Sequence, residues 1–239
     1  MPIHCEELPR ASDLTRRVLE LSQSRNFRAR GRLIYTDAAN RQSVYQISAV
    51  QKQLPQSTNL LWSVTDPPES RLRILIESFR SGKVSVRMAV RSEKAAVLPA
   101  NRWSHAILGT NLAIGDLLED HFLWPKQTVT GEEVLGTQKC YVLRSEPGAP
   151  YPSRYAAAIS WIDETSLLPV RVLKEPLGNG PKKEALFRGL KQVGGHWIAS
   201  MGEVRSVGST GNTRFFFVQG SETAQVADSE VDPAKVFQN

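Results

Sequence analysis

The side chains with the best spacing for acid–base or metal chemistry are Asp116, Asp120 and His121. Residues four apart lie on the same face of a helix, so the two carboxylates and the imidazole could meet there. Such a group can transfer protons or bind a metal ion. A solvated helix end explains the same residues without chemistry, and we expect that arrangement; contact with a partner is a further alternative.

Other reactive patterns are weak. The four histidines, His4, His105, His121 and His196, have no metal-ligand spacing, and the common motifs of hydrolases, metalloproteases and nucleotide-binding proteins are missing. Residues 178–183 (GNGPKK) superficially resemble a phosphate loop but lack its spacing and its hydroxyl residue, and a hairpin is the simpler interpretation. We therefore predict that the protein is not an enzyme and uses no cofactor or metal.

The two cysteines, Cys5 and Cys140, are too few for a disulfide framework, although a single bridge stays open. No stretch approaches 18 apolar residues, so we expect no transmembrane helix. No signal peptide is visible, and without further information the sequence would indicate a cytoplasmic protein.

The 239 residues carry a net charge of +6 and have a sequence pI near 9.5. Nucleic acid, anionic lipid or an acidic partner could each use this excess. Because Lys and Arg alternate along predicted strands instead of forming a block, we expect most of them on solvated strand faces. Nucleic-acid binding is the weakest alternative, and it predicts steeply salt-dependent binding.

The hydrophobic pattern predicts a helix over residues 12–22 and a short helix over 114–120, with strands elsewhere. Residues 27–36 show the clearest alternation, with Arg28, Arg30 and Arg32 between apolar positions. The other predicted strands are 42–52, 58–66, 71–79, 83–92, 128–146 with a hairpin at 136–137, 156–163, 170–175, 183–193, 196–206 and 213–219. So many strands curl a sheet into a strongly curved or half-closed barrel.

Several of these segments resemble the outer-membrane lipoprotein-sorting, LolA/LolB-like family. The resemblance is carried by Trp161-Ile162-Asp163, by Leu168, Pro169 and Arg171, and by the Gly-His-Trp-Ile run at 195–198. Gly109, Thr110, Asp116 and Leu117 fit a second family segment between the two strand sets. The resemblance implies a mainly β fold, a strongly curved antiparallel sheet forming a half-open barrel, with both helices covering the concave side. We expect an N-terminal tail at 1–11 and one domain at 12–239.

The resemblance also implies a periplasmic carrier whose signal peptide has been removed. We expect it to bind acyl chains of lipoproteins or related lipids in an apolar cavity, without covalent chemistry, during sorting or transport to the outer membrane. Membrane contact would be peripheral or transient. The predicted cavity residues are Leu33, Leu61, Trp62, Ile74, Ile76, Met88, Trp103, Leu117, Trp161, Trp197 and Phe216.

The alternative is a protein-interaction module of a cell-envelope or export-pump complex, with no lipid ligand. Its partner surface would be the basic strand face of Arg28, Arg30 and Arg32. Ordinary core packing would then account for the aromatic residues.

Overall fold

The structure is a computed structural model that describes residues 7–23, 26–148, 153–193, 196–221 and 225–238. Cys5 and the predicted turn at 194–195 lie outside these residues. The helices are α1 (Ala11–Gln23) and α2 (Ile114–Leu118), with 3₁₀ turns at Pro68–Ser70, Ala100–Arg102, Ile107–Gly109, Asp120–Leu123 and Asp228–Glu230. The strands are β1 (Phe27–Thr36), β2 (Gln42–Gln53), β3 (Ser57–Asp66), β4 (Leu72–Phe79), β5 (Val84–Val90), β6 (Ala96–Val97), β7 (Lys126–Leu135), β8 (Gln138–Glu146), β9 (Tyr155–Asp163), β10 (Pro169–Pro176), β11 (Lys183–Val193), β12 (His196–Ser206) and β13 (Asn212–Ser221).

The strands form one curved antiparallel sheet in the order β6-β5-β4-β3-β2-β1-β13-β12-β11-β10-β9-β8-β7. Neighbours in this order follow each other in sequence except at β1 and β13, whose pairing joins the two halves of the sheet. The predicted mainly β, half-open fold with two covering helices is confirmed. The short strand β6 was not predicted.

The joint between the halves depends on Gly31 in β1. A Cβ atom at this position would lie 2.0 Å from the carbonyl oxygen of Phe216 in β13, which is far inside contact distance. The β1–β13 register shifts between Arg30 and Gly31, as at a β-bulge. Only glycine therefore fits this close approach of the two backbones.

The concave face is filled by the connection between β6 and β7, which we call the plug (residues 98–124). Its side chains Ile107, Leu112 and Ile114 are buried against Trp62 of β3 and Ile74 of β4. The plug is also hydrogen-bonded to the sheet, because the Asn111 N–H donates to Thr213 Oγ1 of β13 at 2.8 Å.

The N-terminal helix α1 covers the concave face beside the plug. Leu14 and Val18, one turn apart, pack against Phe122 of the plug, Leu143 of β8 and Ile162 of β9. At its other end, the Gln51 side chain of β2 donates to the Ser22 carbonyl at 2.8 Å. The helix therefore contacts both halves of the sheet.

The C-terminal segment, which we call the strap (residues 225–238), crosses the convex face of β1–β4. Asn59 Nδ2 donates to the Val231 carbonyl at 3.1 Å, and Arg73 donates to the Val236 carbonyl at 2.6 Å. Lys52 donates to the carbonyl of Val226, which is buried like Val231. The strap thus gives this part of the convex face its own apolar cover, a feature that the sequence pattern did not predict.

Candidate functional site

An open groove of about 690 Å³ lies where the two ends of the curved sheet approach each other. Its walls are α1, the connection between β4 and β5, and the plug turn that precedes β7. The lining side chains include Ser12, Thr15, Arg16, Leu19 and Glu20 of α1, Phe79, Arg80 and Val84 of the hairpin, and Phe122, Leu123, Trp124, Pro125 and Gln127 of the plug and β7. Small-molecule sites commonly enclose roughly 300–1,000 Å³, so this groove has the size of a binding site.

The groove combines an apolar interior with a charged rim. Phe122 and Trp124 are buried in its wall, whereas Arg16 and Glu20 form an exposed pair at 3.1 Å across one turn of α1. Gln127 fixes the wall, because its Nε2 donates to the carbonyls of His121 at 3.0 Å and Trp124 at 2.8 Å. Such a groove can bind an extended apolar chain by area and leave a polar group at the mouth.

Seven of the predicted cavity residues share the concave face, but the plug packs directly onto them or includes them. Leu33, Trp62, Ile74 and Ile76 are almost fully buried. Met88, Trp103 and Leu117 are partly buried against the same cluster. These seven residues therefore belong to a packed interior that lies beside the groove. Their contact with a ligand stays a prediction.

The other four predicted cavity residues lie on the convex face, so the structure does not bring them together with these seven, and their contact with a ligand stays a prediction. Strand alternation explains the separation, since successive side chains point to opposite faces. Leu61 lies between the concave residues Leu60 and Trp62, and Phe216 lies between Phe215 and Phe217. Trp197 lies opposite Gln192, two positions from Leu190 of the convex cluster.

Trp161 has its own convex environment. It packs with Cys140, Val142 and Val170, donates from Nε1 to Glu133 at 2.7 Å, and stacks under the Arg171 guanidinium at 4.4 Å. These contacts explain the burial and the hydrogen bonding of Trp161 without any ligand. Burial raises the pKa of the Cys140 thiol to about 11, so this cysteine stays protonated near neutral pH.

A second site lies beneath the plug, where two carboxylates meet two lysines of the sheet. We call Asp116, Asp120, Lys174 and Lys183 the charge cluster. Lys174 Nζ lies 3.2 Å from Asp116 Oδ1 and 3.3 Å from Asp120 Oδ1, and Lys183 pairs with Asp116 Oδ2. The backbone N–H of Ala113 also donates to Asp116 at 2.8 Å.

Local geometry brings both carboxylates to the same lysine. The helix α2 ends at Leu118, its C-cap Glu119 has a φ of 48° in the left-handed region, and Asp120 then begins a 3₁₀ turn. On the sheet, Lys174 and Lys183 lie directly opposite each other in β10 and β11. Opposed residues of an antiparallel pair share a face, which places both ammonium groups under the plug.

The electrostatics of the cluster are those of mutually dependent buried charges. Burial opposes ionisation of Asp116, but Lys183 and Lys174 outweigh it and hold the pKa of this carboxyl at about 2. Burial likewise opposes the charge of Lys174, while Asp120 and Asp116 raise its pKa above the ordinary value. For Lys183 burial prevails, and its pKa is lowered.

His121 and Tyr155 border this cluster with unused hydrogen-bonding groups. His121 is 2% exposed, and within the described part of the chain neither ring nitrogen has a hydrogen-bond partner. The Tyr155 hydroxyl is also buried and makes no close hydrogen bond among the described residues, although the Arg154 guanidinium acts on it. Burial and the Lys174 charge lower the pKa of His121 well below its usual value, although Asp116 opposes the shift.

These findings correct the expectation of a solvated helix end. Asp116 and His121 are buried, and the helix stops before Asp120, so the three residues do not form an exposed helix face. Lys174 and Lys183 were not predicted as site residues. A signal was present, because each lysine lies two residues from an apolar side chain of the same strand face, Val172 and Ala185.

The predicted basic partner surface is only partly free. Arg28 pairs with Glu230 and donates to the Gln225 carbonyl at 3.0 Å, so the strap covers it. Arg30 and Arg32 are exposed on the convex face. The basic face predicted as a partner surface is therefore shared with the chain's own C-terminal segment.

Among the described residues, no group of three or more His, Cys, Asp and Glu side chains could hold a metal ion. No helix in those residues is long and apolar enough to cross a membrane.

Comparison with solved structures identifies the fold as that of outer-membrane lipoprotein-sorting, LolA-like proteins. A protein domain from Vibrio parahaemolyticus named for outer-membrane lipoprotein sorting superimposes with a TM-score of 0.83 at 14% identity, covering 95% of this chain and 98% of that one. A DUF1329 family protein from Desulfovibrio piger gives the same values. A LolA superfamily protein from Nitrosomonas europaea has a TM-score of 0.69 at 13% identity, covering 95% of this chain and 99% of that one.

A family model described as an uncharacterized protein matches residues 91–230, more than half of the chain, and the protein belongs to that family. The matched region includes the plug, the charge cluster and all strands from β7 to β13. No curated protein matches the sequence significantly.

Proposed function

We propose that the protein is a non-catalytic carrier of the bacterial envelope that binds the acyl chains of lipoproteins or related lipids. The acyl chain of the ligand would lie in the groove between α1, the β4–β5 hairpin and the plug. The observation that carries this proposal is the open volume of about 690 Å³, whose walls combine apolar and polar side chains, in a fold shared with a lipoprotein-sorting domain.

Binding by area suffices for such a ligand. Each buried methylene contributes about 0.8 kcal/mol, so about ten would contribute about 8 kcal/mol before the cost of ordering. A carrier of this kind needs no reacting group, because its task is to shield the chain from water and release it. We place it in the periplasm, with only transient contact to a bilayer and a partner in the envelope that receives the ligand.

A groove-filling substitution tests the proposal. Ser12 is exposed and lines the groove, so Ser12→Trp places an indole where the acyl chain would lie. We expect the wild-type protein to form a one-to-one complex with a synthetic diacylglyceryl-cysteine peptide in native mass spectrometry. Ser12→Trp should weaken this binding at least tenfold, which corresponds to about 1.4 kcal/mol.

The matched control is Arg17→Trp, which adds the same indole to an exposed position of α1 outside the groove. It should bind the lipopeptide like the wild type. Absence of any complex, or equal weakening by both substitutions, would contradict the proposed binding site. Equal melting temperatures of the three proteins would exclude unfolding as the cause of lost binding.

A further inference from the structure

We propose that Lys174, His121 and Tyr155 bind the acidic group of the acyl ligand, a carboxylate or a phosphate, which takes the place of the Asp120 carboxylate. This inference rests on the proposed function, because the acyl chain would occupy the adjoining groove. It adds the chemical class of the ligand, an anionic amphiphile.

The first support is the set of donors at a small, half-open cavity. Lys174 and His121 line a cavity of about 50 Å³ together with the carboxylates of Asp116 and Glu119, and its remaining walls are apolar. Tyr155 lies close by, with its ring centre 5.5 Å from Lys174 Nζ. An ammonium, a neutral imidazole and a phenol each offer an N–H or O–H donor, and an anion with several oxygens is the acceptor that suits such a set.

The second support is that the carboxylate of Asp120 accepts a hydrogen bond from only one of these three donors. Asp120 accepts from Lys174 at 3.3 Å, whereas the ring nitrogens of His121 have no hydrogen-bond partner among the described residues and the Tyr155 hydroxyl has only the neighbouring Arg154 guanidinium acting on it. Buried polar groups are normally satisfied, so the two side chains point to a further polar group. A carboxylate or phosphate at Lys174 could satisfy them together.

Asp120 is the acid that can be exchanged, and Asp116 is not. Asp116 is 10% exposed and held by both lysines and by the Ala113 N–H. Asp120 is 21% exposed and pairs with Lys174 alone among the described residues. If the Asp120 side chain turns to solvent while a singly charged anion enters, the number of negative charges on the buried lysines is unchanged, which avoids a costly unpaired charge.

The site adjoins the groove through a single layer of side chains. Phe122 and Trp124 line the groove, and their ring centres lie 4.2 and 6.4 Å from that of His121. The 3₁₀ turn at Asp120–Leu123 is therefore the wall between groove and cavity. To reach Lys174, a ligand with its chain in the groove would have to displace this turn, in which His121 and Phe122 are buried.

The test compares three probes with the same chain, dodecanoic acid, dodecyl phosphate and dodecanol, by calorimetric titration of the full chain. We expect the wild type to bind the two anions about tenfold more tightly than the alcohol, as one charge-assisted hydrogen bond would give. Lys174→Met should lower the affinity for the two anions to that for dodecanol, and it should leave the affinity for dodecanol unchanged. Asp120→Asn, which weakens the competing group, should raise the affinity for the anions severalfold.

Lys182→Met is the charge-matched control, because Lys182 is exposed and pairs with Glu175 outside the cluster. It should behave like the wild type with all three probes. If Lys174→Met does not fold, as melting curves would show, the gain expected for Asp120→Asn decides the question.

The outcomes separate this inference from the proposed function. If dodecanol binds as tightly as the anions and Asp120→Asn changes nothing, the acidic-group site is wrong and the carrier proposal stands. If no probe binds, the carrier proposal itself fails. Inorganic phosphate alone is the fourth probe, and if it binds as tightly as dodecyl phosphate, the ligand is a free anion and the assignment to an amphiphile is overturned.

Discussion

The plug contacts the sheet in two chemically different ways. Its first part buries Ile107, Leu112 and Ile114 against the apolar concave face of β3 and β4. Its second part places Asp116 and Asp120 on the lysines of β10 and β11. One connection is thus held by apolar burial at one end and by buried ion pairs at the other.

Stability alone does not explain why the plug contacts the sheet through buried ion pairs at its second part. Burying a large aliphatic side chain contributes about 1.5–3 kcal/mol, with little demand on geometry. A buried ion pair often gives no more stability than apolar residues of the same volume, while loss of one partner is costly. Lysines at these positions are therefore better explained by a need for cations on the concave face than by a need for a stronger core.

The largest expected effect comes from breaking the charged part. Asp116→Ala leaves Lys183 without its carboxylate and Lys174 with Asp120 alone. We expect the free energy of unfolding to fall by about 3–5 kcal/mol, measured by urea denaturation near neutral pH. The control is Asp228→Ala, since Asp228 is 77% exposed and lies 3.5 Å from Lys52. For Asp228→Ala the free energy of unfolding should fall by no more than about 1 kcal/mol. A similar fall for both variants would contradict a buried cluster.

The dependence of the free energy of unfolding on acid pH also tests the charge cluster. The pKa of Asp116 is lowered from 3.8 to about 2, so its stabilising contribution is complete above 3.8 and is lost as the pH falls through 2. This contribution is of the order of 2 kcal/mol. Asp116→Ala should lack this part of the pH dependence.

In the apolar part, Ile74→Ala should lower the free energy of unfolding by about 2–5 kcal/mol, because the side chain is fully buried and leaves a cavity. This loss should be the same at acid and neutral pH, unlike that of Asp116→Ala. Val44→Ala is the control at a position 48% exposed, and its effect should stay within about 0.5 kcal/mol. A pH-dependent loss for Ile74→Ala would show that the two parts of the plug are not independent.

The same contrast explains what could be predicted from the sequence. Alternation in residues 27–36 predicted β1, and helical spacing of Leu14 and Val18 predicted α1, because both patterns are local. Ile74 and Ile76, two residues apart in β4, fit the same alternation. Pairing of Asp116 with Lys174 and Lys183 is set by the path of the plug across the sheet, and no local pattern contains it.

The misplaced aromatics have a related cause. Trp161 and Phe216 were assigned to the cavity by residue type, although neighbouring residues of their strands show the opposite face. Strand period would have separated Leu61 from Trp62. The groove was not predicted either, because it depends on how α1, a hairpin and the plug turn meet in space.

A third prediction concerns His121, which lies between the apolar wall of the groove and the charge cluster. Lys174, Asp116 and Glu119 are titratable groups that line the same cavity, and the folded pKa of His121 lies well below the usual 6.5. The unfolded chain therefore binds a proton that the folded chain does not, so stability is complete above about pH 6.5 and falls below it. We expect a slope of up to about 1.4 kcal/mol per pH unit.

His121→Phe should abolish this slope between about pH 6.5 and 5 in urea denaturation, because phenylalanine keeps a ring beside Phe122 and Trp124 without a titrating group. His105→Phe, at an exposed position, is the control and should leave the slope unchanged. An unaltered slope in His121→Phe would mean that another group causes the pH dependence.

The smallest effect is expected for Lys182→Met, which lies next in sequence to the buried Lys183. Lys182 is 49% exposed and pairs with Glu175 at 2.8 Å, whereas Lys183 is 11% exposed and pairs with Asp116. An exposed pair is screened by water and salt, so Lys182→Met should change the free energy of unfolding by at most about 0.5 kcal/mol. Lys183→Met removes a buried partner of Asp116 and should cost several times more in the same denaturation experiment. Because the two lysines are neighbours with the same side chain, a difference between them measures burial and pairing alone, and equal effects would contradict the distinction between the charged interior and the solvated surface.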